Sequence, residues 1–445
     1  MKVDKGLKIA LVILLIVLVS IISFAGLYVQ DKKSMVNVLK DYQLGMDLKG
    51  SRVVTTNVGT GNKTIYYDKD GNEVKSEDKE GSKKEVPINS EESLTVDNYK
   101  KTKNIVEKRL SDYGISEYLI RLDEKTGKMT VQIPEDDDTD LAVQYIYTKG
   151  KFTIVGENNE VLLDETNVKK ATATYGTTTS GTTVYLNIEF NKDSVEKLRE
   201  ISNTYVKSTD ESGKDTTKKF TMKIDDNTIT STSFGEEIKN GILQISVGSA
   251  TTNVSEINSY LAEARNLAIL INDGSLPLEY DLAQNRFISS DITTDNLTMA
   301  GIVILVTIVI GAIVLGILYK KNGILAGIAN IGYLAVLLII VRYTNVILTI
   351  EGIFGILISI VLNYIFTIRL LKTMKTEEDT KKAYNNTAKS MVFILIPALV
   401  IAIALCFAGW MPIYSFGALM FWGLLTIFIY NTVITRTLMV ISTKK

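Results

Sequence analysis

Six apolar runs, one at the start and five in the last third, constrain this 445-residue chain more than any other feature. They cover residues 9–29, 299–318, 324–341, 346–371, 391–408 and 413–441. Crossing a bilayer takes a helix of about 20 predominantly apolar residues, and each run is of that order. Between the first run and the second, residues 30–292 are polar and rich in Thr, Asp, Glu and Lys. That stretch is long enough to bury a core of its own. The expectation is a membrane protein: a bundle of six α-helical spans with a large α+β domain inserted after the first.

The first run admits a second reading, a cleaved signal peptide, because Ser23, Phe24 and Ala25 make a passable small-residue cleavage site. Signal-peptide cores usually extend about 7–15 residues. This run is longer, so a retained anchor is expected. Lys2, Lys5 and Lys8 precede it. Lys320 and Lys321 lie between the second and third runs, and Arg369, Lys372, Lys375, Lys381 and Lys382 surround the connection from fourth to fifth. Arg436, Lys444 and Lys445 close the chain, whereas the alternate short loops hold only Arg342. With six spans all these clusters fall on one side, so the positive-inside rule puts both termini in the cytoplasm and 30–292 outside. Three regions follow: 1–29, 30–292 and 293–445.

Within the outer region, 55–93 reads as a solvated hairpin or polar insertion. Tyr99, Val106, Leu110 and Tyr113 recur at helical spacing over 94–113, with Gly114 placed as the C-terminal cap. A strand is expected at 129–133, ended by Pro134, then a helix at 139–147 and a strand at 151–155. That order suggests a split βαβ, ferredoxin-like layer. Residues 156–180 are Thr-rich and carry no clear period. Strands are expected at 185–190, 220–224 and 243–247, with a helix at 194–205. A last helix, capped by Ser255, carries Ile257, Leu261, Ala264, Leu267, Ala268 and Ile271 along one face and stops at Gly274. These stripes read as core.

Chemistry is mostly excluded. The chain has no histidine and one cysteine, Cys406, inside an apolar run. Histidine triads, histidine metal sites and intramolecular disulfides are therefore ruled out. A net charge of −1 and a pI of 5.9 give no basic field for nucleic acid. No phosphate loop, nucleophile–base pair or metal cluster is visible, so neither an enzyme nor a cofactor is expected.

One stretch stands out just past the first run: Leu44, Gly45, Met46, Asp47, Leu48, Lys49, Gly50 and Ser51. An Asp and a Lys among alternating apolar residues, with Gly toward both ends, read as a short strand between tight turns. The stretch resembles the L-G-L-D-L-R-G-G signature of the SecD family of bacterial protein-export accessory subunits, departing at Met46, Lys49 and Ser51. Further stretches are similar to that family in the same order. They are Arg109 through Gly114 to Glu117, Val131 to Pro134, Glu263 to Ala268 with Gly274 to Pro277, Tyr319 with Gly323, and Phe416 through Thr426 to Arg436.

The resemblance implies an RND-superfamily membrane domain in the bacterial cytoplasmic membrane. It implies a SecF-like partner, the SecYEG channel, contact with lipid, and emerging unfolded polypeptides as the clients of a machine driven by the proton motive force. Such a machine needs an ionisable group inside the membrane. Aligned on Leu348 through Ile356, the family's fourth-span Asp and Asn fall on Ile365 and Thr367, and neither carries a proton. Asn330, Asn363 and Asn431 remain as intramembrane polar positions, with Glu351 near the outer end of the fourth span. Buried Asn bonds between helices, worth about 1 kcal/mol or less, act as glue. Asp47, Lys49, Arg109 and Glu117 are expected to form ion pairs at the base of the outer domain. Two outcomes stay open: a partner supplies the proton site, or this chain acts as a scaffold without coupling. A small-molecule RND exporter subunit is the competing class.

Overall fold

A computed structural model describes residues 5–31, 34–67, 69, 73–74, 81–136, 139–157, 160–179, 181–208, 217–290, 292 and 294–443. Lys2, Lys444 and Lys445 lie outside the described residues, as do 68, 70–72 and 75–80 of the expected insertion. The chain divides into two compact units, 1–51 with 288–445, and 52–287. Residues 30–51, read above as part of the outer region, thus belong with the apolar helices.

The first unit is helical. Its long helices are Lys5–Ala25, Thr294–Tyr343, Ile350–Thr376, Thr380–Leu405 and Met411–Tyr430. The last continues through a π-helical turn, Asn431–Thr435, into Arg436–Thr443. Among the described residues, five helical elements are long and apolar enough to cross a membrane. The expected second and third runs share one of them, which is interrupted at Lys320 (φ 51°, ψ −134°). Beyond that residue the helix doubles back on itself. A Cβ on Gly327 would lie 2.6 Å from the Ala312 methyl, and one on Gly323 would collide with the Leu315 carbonyl. Glycine at both positions lets the two arms lie backbone to backbone.

Polar side chains turn inward among apolar ones, and many large apolar side chains face outward. Asn330, Ser359, Asn363, Thr367, Ser415 and Asn431 are all at most 3% exposed, whereas Phe393 and Phe407 exceed 80%. Water would drive the opposite sorting, and lipid permits this one. The first helix ends earlier than its apolar run, at Ala25. Gly26, at φ +88°, turns the chain into an antiparallel hairpin of Tyr28–Asp31 and Ser34–Asn37.

The second unit has two cores. In the first, a four-stranded sheet runs in the order Tyr280–Ile288, Ser51–Val58, Met129–Pro134, Leu119–Leu122. Numbered along the chain, these are the fourth, first, third and second strands of that sheet. Helix Val96–Tyr113 follows the first strand and helix Thr139–Tyr147 the third. Met129, Val131 and Ile133 alternate inward and are fully buried with Val106, Leu110 and Ile146. Thr95 caps the longer helix, accepting the Asn98 amide hydrogen at 3.2 Å. Gly114 ends it in the left-handed region, φ 101°. The Ile115 amide donates back to the Leu110 carbonyl at 2.9 Å, the geometry that favours glycine at that site.

The second core packs two sheets. One runs Val161–Asp164, Phe152–Val155, Phe220–Ile224, Asn227–Thr232. The other runs Val168–Thr178, Gly181–Phe190, Ile242–Thr251. Helices Val195–Thr204 and Val254–Asp273 accompany them. The latter buries Ala264, Ala268 and Ile271, as its stripe predicts. Its cap is Asn253, whose side chain accepts the Ser255 amide hydrogen at 3.1 Å. Ser255 itself lies inside the first turn, so the expected cap is displaced by two residues.

Candidate functional site

The stretch 44–51 is not itself a strand. Ser51 opens the strand Ser51–Val58, and Leu44 makes an isolated parallel β-bridge to Leu348. Around it the Leu348 amide donates to the Gln43 carbonyl at 2.7 Å, and the Gly45 amide donates to the Leu348 carbonyl at 2.8 Å. Met46–Lys49 then form one helical turn, closed by the Gly50 amide donating to Met46 at 3.0 Å. Leu48 is buried in the core of the helical unit. The alternating pattern suggested a strand, but the turn is what brings Asp47 to the head of another helix.

That helix is Ile350–Thr376. Thr349 caps it, its hydroxyl accepting the Gly352 amide hydrogen at 3.1 Å. The Ile350 amide, left without an intrahelical acceptor, donates to Asp47 Oδ2 at 2.6 Å. A carboxylate there also faces the positive end of the helix dipole. Ser415 completes the clasp, donating from its hydroxyl to the Ile347 carbonyl at 2.6 Å. Burial pushes the Asp47 carboxyl above its ordinary range, the Ile350 amide pulls it down, and the charge of Glu351 pushes it up again. Glu351 is exposed in the first helical turn. Just before the stretch 44–51, the Tyr42 ring lies 4.1 Å under the guanidinium of Arg342, in the last turn of Thr294–Tyr343, which donates to the Lys40 carbonyl at 3.0 Å.

Deeper in the same helix lies a buried polar network. Asn363 Nδ2 donates to Asn330 Oδ1 at 3.0 Å, and the Thr367 hydroxyl reaches the same oxygen at 2.9 Å. Asn431 Nδ2 donates to Asn363 Oδ1 at 2.8 Å and to the Ile427 carbonyl at 3.0 Å. Asn330 Nδ2 is buried with no partner. Three helical segments are thereby tied through Asn363, which both gives and accepts. Asn431 begins the π turn, where the Arg436 amide bonds to the Asn431 carbonyl. Such turns are frequent at functional sites.

Ile365 takes no part in this network. It is half-buried, two residues from Asn363 and from Thr367, and residues two apart on a helix face different ways. Of the two positions aligned with the family's Asp and Asn, only Thr367 faces the network. Asn363, isosteric with Asp, occupies its centre. Among the described residues, no aspartate or glutamate joins it.

In the other unit, Arg109 is fully buried and hydrogen-bonds to carbonyls. Nη1 donates to Tyr145 at 3.2 Å and Thr148 at 2.6 Å. Nη2 donates to Lys149 at 2.9 Å and Gly274 at 2.7 Å. Burial pushes its guanidinium down to about 10, while the charges of Asp273 and Asp225 oppose the shift. Asp47 and Arg109 thus differ from the expected ion pairs: one caps a helix and the other gathers four carbonyls. Glu117 is buried, and Lys49 is half-buried. Gly114 is the helix cap described above.

Ser415 and Thr349 were missed in the sequence. Thr349 carried a readable signal, a threonine directly before an apolar run. Ser415 carried none. Among the described residues, no group of three His, Cys, Asp or Glu is placed to hold a metal ion.

No protein-family model matches the chain. Among curated proteins it is similar to the protein translocase subunit SecD of Leptotrichia buccalis, at 23% identity over 367 residues, 80% of this chain and 85% of that one. It is likewise similar to the protein translocase subunit SecD of Dictyoglomus turgidum, at 22% identity over 357 residues, 78% of this chain and 83% of that one. Among solved structures, a crystal structure of SecDF in its super-membrane-facing form covers 98% of this chain, with a TM-score of 0.55 at 16% identity. The chain spans 57% of the length of that SecDF chain. The likeness to SecD read from the motifs therefore extends along most of the chain, and the fold is similar to that of the matched part of SecDF.

Proposed function

We infer that this chain is a SecD-like accessory subunit of a protein-export translocase, a non-enzymatic membrane component that assists polypeptides across the bacterial cytoplasmic membrane. One observation carries the reading. The SecD-like stretch at 44–51 closes, through Asp47, onto the head of the helix that holds the central Asn363 network, within a SecDF-like fold. The two arms on either side of Lys320 count as separate spans, giving six, with both termini cytoplasmic and 52–287 outside. The strand order fourth, first, third, second, with a helix after the first and third, supports a ferredoxin-like layer there. A SecF-like subunit, the SecYEG channel, lipid and unfolded exported polypeptides are the partners on this reading.

The network also supports a division of labour. An asparagine centre binds helices together and does not titrate, so coupling to the proton motive force, where it occurs, belongs to the SecF-like partner. Intramembrane carboxylates are what proton-driven machines retain. Asn363 stands where such a group would face its neighbours, and Ile365 does not.

Preprotein release from vesicles holding this chain and its partner tests both parts. Release that requires this chain and responds to a proton gradient, unchanged in Glu351→Gln, is expected. Loss of the gradient response in Glu351→Gln would move the coupling site to that carboxylate. Release indifferent to the gradient in wild type but responsive in Asn363→Asp would make the chain an uncoupled scaffold. Release indifferent to the presence of the chain would overturn the export reading. Altered sensitivity of a deletion strain to small toxic compounds would instead favour a small-molecule RND exporter.

A further inference from the structure

The strand Val168–Thr178 is the edge of its three-stranded sheet, paired among the described residues only with Gly181–Phe190. Its outer side begins protected. A bulge lies between Val168 and Lys170, and two lysines, Lys169 and Lys170, stand there. At Ala171 the Asn272 side chain imitates a neighbouring strand, accepting the Ala171 amide hydrogen at 2.7 Å and donating to its carbonyl at 2.9 Å. Bulges and lysines are the usual means of blunting a sheet edge.

Beyond Ala171 the protection stops. Backbone groups in an antiparallel strand alternate between the two sides. Ala171 points outward, so Ala173, Tyr175 and Thr177 also present their N–H and C=O groups to the outside. The outward row holds no charged residue or proline, and Tyr175 is 67% exposed. Beside the first part of this edge lies a cleft of about 730 Å³, bordered by Ala173, Asp112, Tyr113, Leu141, Arg265 and Ile269. Its walls mix apolar surface with one charge of each sign.

We propose that the outer edge of residues 173–177 binds an extended, unfolded polypeptide as an additional β-strand, with alternate side chains entering the adjoining cleft. A row of backbone donors and acceptors recognises another extended backbone and is tolerant of its sequence. Asn272 already shows the hydrogen-bonding pattern the incoming strand repeats. This inference rests on the export reading and names how its client is held.

The test uses the full-length chain in detergent and a labelled, reduced and carboxymethylated polypeptide that stays unfolded. Ala173→Pro and Tyr175→Pro each remove one outward donor without removing a ladder bond to Gly181–Phe190. Each is expected to weaken binding roughly tenfold, through the lost hydrogen bond and the clash of the ring with the added strand. Tyr175→Thr, which keeps the backbone, is expected to bind within about twofold of wild type. Hydrogen exchange on the wild-type protein gives a readout independent of variant folding: the Ala173 and Tyr175 amides are expected to slow when the polypeptide is added. Wild-type binding with unslowed amides, or proline variants that bind like wild type, would overturn the edge proposal and leave the export reading standing. No wild-type binding would overturn the proposal while vesicle release still judges the reading. A dimer abolished by Ala173→Pro would assign the edge to a second copy of this chain and overturn the proposal as well.

Discussion

The Asp47 carboxylate accepts the Ile350 amide hydrogen at 2.6 Å across a sequence separation of 303 residues. A residue in the segment before 52–287 thereby finishes the start of a helix in the segment after it. A cap supplied from so far away ties the two segments of the helical unit together.

Asp47→Ala is therefore expected to destabilise the helical unit by about 1 kcal/mol, the ordinary cost of a lost cap, read as lowered thermal unfolding in detergent. Asp47→Asn keeps an acceptor and is expected to lose less than half of that. Its pH dependence has a definite sign. Burial raises this carboxyl in the folded state. Its contribution is thus full below the unfolded value, about 3.9, and declines as pH rises through the raised folded value. Asp47→Asn removes that decline.

Asn363→Leu leaves Asn330 with only the Thr367 hydroxyl and Asn431 with only the Ile427 carbonyl in a buried site. A loss of about 1–3 kcal/mol is expected, measured by unfolding in bicelles. Asn431→Leu breaks only the terminal link and is expected to cost less. Equal losses would mean that Asn363 is not the hub.

Arg109→Lys tests the carbonyl cradle. An ammonium cannot match a planar fork that reaches four carbonyl oxygens, so a loss of about 2–4 kcal/mol is expected in the unfolding of the full chain. Rescue to wild-type stability by lysine would mean that charge alone matters there.

At the surface, Glu237 bonds to Arg199, and also to Lys239 at 3.2 Å and Asn203 at 3.3 Å. The Arg199 hydrogen bond, helped by Lys239, holds the Glu237 carboxyl down at about 2. Its contribution to stability is present above the unfolded value, about 4.3, and is lost as pH falls toward 2. Carboxyl-carbon NMR is expected to show that low midpoint, and Arg199→Gln to move it up toward 4.3.

The helices were legible because their signals are local. The Tyr99–Tyr113 stripe and Gly114 cap needed no distant partner, and the helix at 139–147 matches its expected bounds. Residues 156–180 were opaque because threonine favours strands without supplying the alternation that marks a buried face. The second half of the strand Ser51–Val58 was read as the start of a polar insertion at 55, although Thr55 and Thr56 are buried in it. The site was legible only in its parts. Asn330, Asn363 and Asn431 were each visible as polar groups in apolar runs, but a helix turn decides which of them meet. That same turn excludes Ile365. Asp47 was visible as a motif residue, while its partner, a backbone amide 303 residues on, has no side-chain signature at all.

The π turn at Asn431–Thr435 sets the angular phase of everything after it. An α-helix advances about 100° per residue, so a turn that holds one residue more rotates the following segment by about that angle. With the turn in place, Leu438 and Met439 of Arg436–Thr443 face the core at no more than 1% exposure. Deleting a single residue within 431–435 would let the helix run straight, swing that pair toward lipid and carry Arg436 off the Tyr384 ring it now covers at 5.4 Å. The end of the chain thus behaves as a key cut to one rotational setting, and the surplus residue in that turn is the notch that fixes it.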